Sequence, residues 1–280
     1  MSRRTPRAFV RERRTYCGAQ YMAVDIYNYS EEQETAARKP RKRREKVTPP
    51  KQRNLNDRNA RRYLVQLGNA NFGEGDLHVT CTYDADHLPA TTEEAEREAR
   101  NYLNRVKYAR EKAGLSPLKY ILVTEYGTKR GTDNITRIHH HIIMNGGLER
   151  DAVENLWRDK RRKGEPQGRR KGYCNADRLQ PEENGIEALC RYLTKNPNGK
   201  KRWSSSKNLE KPVRTKNDHK YSRRKVEKIC SSGEIYDRAY WETAYPGWTL
   251  AGSAGYAVEA DPPDEYNGWR LYIKLRKIKP

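Results

Sequence analysis

The sequence lacks long hydrophobic runs and has few apolar residues. Only 34% of its 280 residues are apolar, and another 34% are charged, whereas a uniformly packed globular protein carries roughly half apolar residues. We therefore expect part of the chain to be extended or solvated. No stretch of about 18 apolar residues occurs, so we expect no membrane-spanning helix and no membrane partner.

Cysteine is scarce and unpatterned. The five cysteines are odd in number, widely spaced, and form no C-x-x-C motif. A disulfide framework and a cysteine-based zinc module are therefore not expected, and a reducing, cytoplasmic location is predicted. Residues 1–14 are arginine-rich but contain no apolar stretch, so we expect no secretory signal.

Positive charge is abundant and clustered. The chain has 58 Lys and Arg against 37 Asp and Glu, a formal net charge of +21. Three runs carry the excess: residues 38–62 (net +10), 158–171 (net +6) and 195–228 (net +10). A solvated surface is one interpretation. Neutralisation of nucleic-acid phosphates, with affinity that falls as salt rises, is the one we favour. The candidate DNA contacts are Arg161, Arg162, Lys163, Arg169, Arg170, Lys171, Lys200, Lys201 and Arg202.

The pattern of residues divides the chain into three parts. Residues 1–54 are expected to form a basic, weakly ordered N-terminal arm, with one short strand at 21–29. Residues 55–200 have the periodicities of a compact domain. Residues 201–280 are basic and then aromatic, and we expect a small C-terminal annex that closes with a strand at 269–275.

Strand and helix patterns alternate within residues 55–200. Apolar residues recur at every second position in three strands, and at helical spacing in the segments between them. The helix after the first of these strands has a capping-box spacing at Thr91 and Glu94. The predicted order is β-α-β-β-α-β-α. This order is typical of an α+β, ferredoxin-like (split βαβ) antiparallel sheet with helices on one face and the other face open.

Two histidines and a glutamate form a candidate metal site. His139 and His141 lie two residues apart on a predicted strand, so both imidazoles should project from one face. Two imidazoles suit a divalent ion but need an oxygen partner, and Glu125 on the preceding strand should lie roughly opposite His139. A solvated histidine run and a strand-end glutamate are the simpler interpretations. For His78, on an earlier strand, a polar position without chemistry is favoured over a DNA contact.

Tyr192 is a candidate nucleophile on a later helix. The apolar stripe of this helix leaves Tyr192 on its polar flank, with Lys195 three residues further on. A phenol is a weak nucleophile at neutral pH, but a nearby ammonium favours the phenolate and a metal can polarise a phosphate. A half-buried helix tyrosine without chemistry is the alternative.

These motifs resemble those of a known enzyme superfamily. Glu125, the His139-His140-His141 strand and the helix with Tyr192 and Lys195 are similar to the signature of HUH endonucleases. More narrowly, they resemble the single-tyrosine rolling-circle replication initiators (Rep proteins) of plasmids and phages. The resemblance covers residues 57–200 and includes a TYD sequence at 82–84. It departs from the family at His140, where a bulky hydrophobe is usual, and it leaves open whether His140 takes part.

The resemblance implies an activity and a set of roles. His139, His141 and Glu125 would bind Mg²⁺ or Mn²⁺, Tyr192 would attack the DNA, and Lys195 would assist. The enzyme would nick and rejoin single-stranded origin DNA through a 5′-phosphotyrosine. No helicase motif follows, so unwinding and synthesis would need a host helicase and polymerase. A relaxase or transposase with the same chemistry, a non-enzymatic RRM-like binder of nucleic acid, and a phosphodiesterase that uses water remain as alternatives.

Overall fold

The structure, a computed structural model, describes residues 7–38, 50–128, 135–161, 163–194, 202–264 and 267–278. The strands in these ranges are β1 (Ala8–Cys17), β2 (Tyr21–Ser30), β3 (Leu77–Thr82), β4 (Tyr120–Thr128), β5 (Ile135–Met144), β6 (Cys174–Arg178), β7 (Ser204–Ser205), β8 (Val213–Asn217), β9 (Trp248–Leu250), β10 (Val258–Asp261) and β11 (Arg270–Lys277). The α-helices are α1 (Glu31–Arg38), α2 (Pro50–Asn71), α3 (Thr92–Lys112), α4 (Arg150–Asn155), α5 (Glu187–Leu193), α6 (Arg223–Ser231), α7 (Arg238–Ala244) and α8 (Ala254–Ala257). Within the described ranges, no helix combines the length and the apolar character needed to cross a bilayer.

The contacts between residues divide the chain into two units. The central unit comprises Asn71–Glu182 and Ile186–Glu210, and the terminal unit comprises Met1–Ala70, Glu183–Gly185 and Lys211–Pro280. The second unit therefore draws on both ends of the sequence.

The central unit contains a five-stranded antiparallel sheet in the order β6-β3-β5-β4-β7. Helix α3 connects β3 to β4, and α4 lies between β5 and β6 along the chain. This mixed architecture confirms the predicted α+β class and is compatible with the HUH endonuclease fold.

One face of the central sheet packs on helix α3. The helix begins where predicted, because the Thr91 side chain accepts a hydrogen bond from the Glu94 N–H. Its apolar stripe, centred on Ala99, Tyr102 and Val106, is buried against Val79 of β3 and other apolar sheet residues. Because side chains alternate along a strand, the opposite face of the sheet carries the polar residues of β4 and β5.

The N-terminal segment differs from its prediction as a weakly ordered arm. Its described part forms β1 and β2, two ten-residue strands that pair along their whole length from Ala8↔Ser30 to Cys17↔Tyr21. The reason is that charged residues are buried here as ion pairs. The Arg11 guanidinium, for example, contacts Asp218 at 2.7 Å and Glu34 at 2.5 Å. These pairs hide the strand pattern behind a polar sequence.

The C-terminal segment also differs from its prediction as a small annex. Strand β11 pairs with β2, and β8 pairs with β1, so that the terminal unit has one sheet in the order β10-β11-β2-β1-β8, with β9 also paired to β11. Apolar residues of β2 and β11, such as Val24 and Ile273, share one core with Trp241 of α7. The predicted strand at 269–275 is thus a member of this sheet.

Candidate active site

The pairing of β4 with β5 sets the positions of three predicted site residues. Glu125 lies directly opposite His139, and Val123 lies opposite His141. Residues opposite each other in an antiparallel pair project from the same face. Glu125, His139 and His141 therefore share the face that α3 leaves uncovered, which agrees with their predicted placement.

The side chains of this face lie close together. The Glu125 Oε2 is 3.8 Å from the His141 Nε2. The rings of His139 and His141 are nearly parallel, with centroids 6.2 Å apart and an interplanar angle of 7°. The strand spacing thus lines up two imidazoles beside one carboxylate.

His141 has two further neighbours on β3. The Thr80 Oγ1 is 3.3 Å from its Nδ1, and the ring of His78 stacks on it with centroids 5.6 Å apart. These contacts bury His141 to 5% exposure, although the sequence predicts an open sheet surface. Sequence reasoning assigned His78 no role at the site, and its alternation with Val79 is the signal that places it on this face.

Burial keeps the two candidate ligand histidines neutral. Desolvation, together with the nearby His78 and His139, lowers the pKa of His141 to about 4. Desolvation and the charge of Arg137 also lower the pKa of His139, against a smaller opposing effect of Glu125. Both imidazoles are therefore deprotonated at neutral pH and have lone pairs available for a cation.

His140 belongs to the core and not to the open face. It is fully buried, its Nε2 is 2.8 Å from the Tyr83 hydroxyl, and its Nδ1 is 2.9 Å from the Thr124 hydroxyl. Its ring also lies edge-on to Trp157. Burial lowers the pKa of His140 to about 3. Both ring nitrogens are occupied by hydroxyl groups, so His140 serves the packing of the sheet on its helices.

Tyr192 lies over the histidines. Helix α5 buries its apolar stripe, which includes Cys190 and Leu193, and leaves the Tyr192 side chain 59% exposed. The rings of Tyr192 and His141 meet edge to face, with centroids 5.8 Å apart and an interplanar angle of 85°. The predicted nucleophile and the predicted ligand histidine are in contact, and the phenol remains accessible to solvent.

The candidate DNA contacts divide into three groups. Those that are exposed or partly exposed are Arg161, Lys163, Arg169, Arg170 and Arg202. Those that lie outside the described residues, together with the candidate catalytic lysine, are Arg162, Lys195, Lys200 and Lys201. Lys171 forms the third group.

Lys171 differs from its predicted role as a surface DNA contact. It is buried, and its Nζ lies 2.5 Å from the Asp159 carboxylate and 3.1 Å from the Glu98 carboxylate. Asp159 also contacts the His87 Nε2 at 3.0 Å. An ammonium held between two carboxylates is satisfied within the protein, and Lys171 therefore anchors the basic segment to the body of the central unit.

The donor chemistry of the site fits a divalent cation. Two neutral imidazoles and a carboxylate are ligands that Mn²⁺ and Mg²⁺ sites use. The Thr80 hydroxyl at the Nδ1 of His141 is an outer partner of the kind that orients a ligand histidine. Among the described residues, no three His, Cys, Asp or Glu side chains already converge on a common point. His139, His141 and Glu125 are the residues that would hold an ion.

The sheet, the histidine pair and the helix tyrosine together have the layout of a single-tyrosine HUH nuclease site. Residues 76–197 match the model of a family of replication-associated proteins, the ORF2 type. The matched segment is a little under half of the chain and includes Glu125, His139, His141 and Tyr192. The match supports a role in DNA replication and is consistent with a rolling-circle replication initiator. Comparison with curated proteins and with solved structures gave no match.

Proposed function

We propose that this protein starts rolling-circle replication by nicking single-stranded DNA at an origin and later rejoining it. The observation that carries the proposal is the contact between Tyr192 and His141 at 5.8 Å between ring centroids. It brings a solvent-accessible phenol to a pair of neutral imidazoles and a carboxylate. The match of the surrounding segment to a replication-associated family supports the same activity.

The proposed reaction is a transesterification at phosphorus. The Tyr192 Oη attacks the scissile phosphate and loses its proton to solvent. An Oη–P bond forms, the P–O3′ bond breaks, and the departing 3′ oxygen takes up a proton. The products are a 5′-phosphotyrosine and a free 3′-hydroxyl, from which a host polymerase would extend while a host helicase unwinds the duplex. Rejoining is the reverse attack of a 3′-hydroxyl on the phosphotyrosine.

The side chains of the sheet would hold and orient a metal ion in this reaction. Bound at His139, His141 and Glu125, Mg²⁺ or Mn²⁺ would withdraw negative charge from the non-bridging phosphate oxygens. Thr80 would orient the His141 ring through its Nδ1, and His78 would pack against the other side of that ring.

The basic segment of the central unit is the proposed path of the DNA strand. The segment's charged side chains that reach solvent are those of Arg161, Lys163, Arg169 and Arg170. The Arg170 guanidinium is fixed by a 2.7 Å hydrogen bond to the Asn155 side chain. Contacts of this kind position a nucleic-acid backbone without reading its sequence.

Covalent capture tests this proposal. The full chain is incubated with Mn²⁺ and a randomised pool of single-stranded DNA that contains every decanucleotide, and adducts are separated on a denaturing gel. We expect the wild-type protein to form an adduct, Tyr192→Phe to form none, and both to bind the DNA equally well. Tyr173→Phe is the matched control, because Tyr173 is also an exposed tyrosine of the central unit. An adduct with Tyr192→Phe, or none with the wild type, contradicts the proposal.

The same experiment separates the alternatives. A non-enzymatic RRM-like binder would bind DNA but leave it uncut. A phosphodiesterase that uses water would cut DNA without an adduct, and Tyr192→Phe would keep that activity. A relaxase or transposase would form the same tyrosine adduct, and the sequence captured from the pool would then be one of a transfer origin or transposon end.

A further inference from the structure

The terminal unit has a second set of aromatic and basic residues, away from the histidine pair in sequence. On β1 and β2, the apolar residues Val10, Val24 and Ile26 face the core. Because side chains alternate, Phe9 and its register partner Tyr29 lie on the opposite face. Tyr27 belongs to the same face. The aromatic face, defined as Phe9, Tyr27 and Tyr29, is thus backed by a packed sheet.

The three rings of the aromatic face contact one another and two guanidinium groups. Ring centroids are 6.0 Å apart for Phe9 and Tyr29, and 5.8 Å apart for Tyr27 and Tyr29. The Arg11 Cζ lies 4.1 Å from the Tyr29 ring centre, and the Arg270 Cζ lies 5.8 Å from that of Tyr27. Arg11 is held in place by its ion pairs with carboxylates, so the array is preorganised.

A cavity of about 770 Å³ opens over this face. Tyr27 and Tyr29 line it together with Arg58 and Arg61 of α2, and its remaining wall includes Arg270. Four side-chain amides also line it: Asn28, Gln33, Asn54 and Asn267. Amide groups can pair with the edges of nucleobases, aromatic rings can stack on their faces, and guanidinium groups can bind phosphates.

The charge around the cavity favours a polyanion over a small neutral ligand. Arg58 and Arg61 belong to the run 38–62, which has a net charge of +10. Arg58 is paired with Asp261 at 2.9 Å, whereas Arg61 is exposed. The bases of a duplex are already stacked and paired, so only an unpaired strand could use the two tyrosines.

We propose that the terminal unit binds the unpaired bases of single-stranded DNA in this cavity, by stacking on Tyr27 and Tyr29 with the backbone near Arg61. This is a binding site separate from the cleavage chemistry. It does not depend on Tyr192 being a nucleophile.

Photocrosslinking locates the DNA directly. Full-length Tyr192→Phe protein is irradiated with a single-stranded oligonucleotide that contains 5-iododeoxyuridine, and crosslinked peptides are mapped by mass spectrometry. We expect crosslinks at Tyr27 or Tyr29. Crosslinks confined to other parts of the chain overturn the proposal. Because this protein lacks the Tyr192 hydroxyl, the result is independent of whether the nicking proposal holds.

Binding measurements on variants test the stacking itself. We expect the Tyr27→Leu/Tyr29→Leu variant to bind single-stranded DNA about 10-fold to 100-fold more weakly, while its affinity for duplex DNA changes less than about twofold. The Tyr27→Phe/Tyr29→Phe variant should keep wild-type affinity, since it retains both rings. Tyr236→Leu is the matched control, because Tyr236 is exposed in the same unit and is not part of the cavity lining.

Two outcomes of these measurements contradict the proposal. One is an unchanged affinity of Tyr27→Leu/Tyr29→Leu for single-stranded DNA, in a protein whose circular dichroism shows that it is folded. The other is a preference of at least about tenfold for RNA of the same sequence, which would make RNA the ligand. If the leucine variant fails to fold, the crosslinking of the tyrosine-containing protein still decides.

Discussion

The rings of Tyr192 and His141 are in edge-to-face contact, with centroids 5.8 Å apart and planes at 85°. The histidine comes from the middle of a sheet, and the tyrosine from a short helix later in the chain. Because the phenol is 59% exposed, a DNA strand can reach it without displacing the protein core. This contact connects the proposed nucleophile to the proposed cation site, and the predictions below test the two sides of it.

The histidine pair should be required for metal-dependent cleavage. We expect His139→Asn/His141→Asn to lower the yield of covalent adduct by more than about 100-fold, since loss of an outer partner alone costs about 10-fold to 100-fold. Treatment of the wild-type protein with EDTA should have the same effect, and added Mn²⁺ should restore the wild type only. His219→Asn is the control, because His219 is exposed in the terminal unit. Wild-type adduct yield in the double variant would contradict a role for these imidazoles.

Thr80 should position the His141 ring. Its Oγ1 lies 3.3 Å from the His141 Nδ1. Thr80→Val removes the hydroxyl but keeps the side-chain shape, and we expect it to weaken Mn²⁺ binding about 10-fold to 100-fold, as measured by electron paramagnetic resonance of the free ion. Thr80→Ser retains the hydroxyl and should bind Mn²⁺ like the wild type. Equal affinities for the valine and serine variants would show that the hydroxyl has no such function.

Lys171 should matter for stability and not for DNA affinity. Its ammonium is buried between Asp159 and Glu98, so Lys171→Met leaves two carboxylates without their cation. We expect the free energy of unfolding in urea to fall by about 1.5–3 kcal/mol. Arg169→Met is the matched variant, because Arg169 is exposed in the same basic segment. It should weaken DNA binding and leave stability nearly unchanged. The reverse assignment of effects would support Lys171 as a DNA contact.

His87 should make stability depend on pH. Burial lowers its pKa, but hydrogen bonds and attraction to Asp84 and Asp159 outweigh burial, so the net pKa is raised above the ordinary value near 6.5. The folded state then binds the proton more tightly than the unfolded state. The resulting stability is fully present below about pH 6.5 and is lost as pH rises through the folded pKa.

Thermal unfolding between pH 5 and pH 9 measures this effect. We expect the midpoint temperature to fall less with rising pH in His87→Gln than in the wild type. His219→Gln, at an exposed position, should follow the wild type. Parallel curves for His87→Gln and the wild type would mean that the contacts of His87 do not stabilise its charged form.

Local periodicity is enough to predict most of the candidate site. Alternation along β5 separates His139 and His141 from His140, and the length of the β4–β5 connection places Glu125 opposite His139. The helical angle of Tyr192 relative to its apolar stripe predicts its exposure. Each of these inferences depends only on the geometry of a single strand, hairpin or helix.

Pairing between distant segments cannot be predicted in this way. Strand β2 pairs with β11, some 250 residues later in the chain, and no local pattern encodes that partner. Arg11 and Lys171 look like solvated charges in the sequence because their partners Asp218 and Glu98 are distant along the chain. The stacking of His78 on His141 likewise depends on the pairing of β3 with β5.

Mass mapping of the DNA-linked peptide tests the central claim most directly. Wild-type protein is incubated with Mn²⁺ and the randomised single-stranded pool, and the adduct is digested with nuclease and then trypsin. Cleavage after Arg191 releases a peptide that begins at Tyr192. We predict that this peptide carries a nucleotide phosphate on the tyrosine oxygen. A nucleotide found on any other tyrosine, with residue 192 unmodified, would contradict the account.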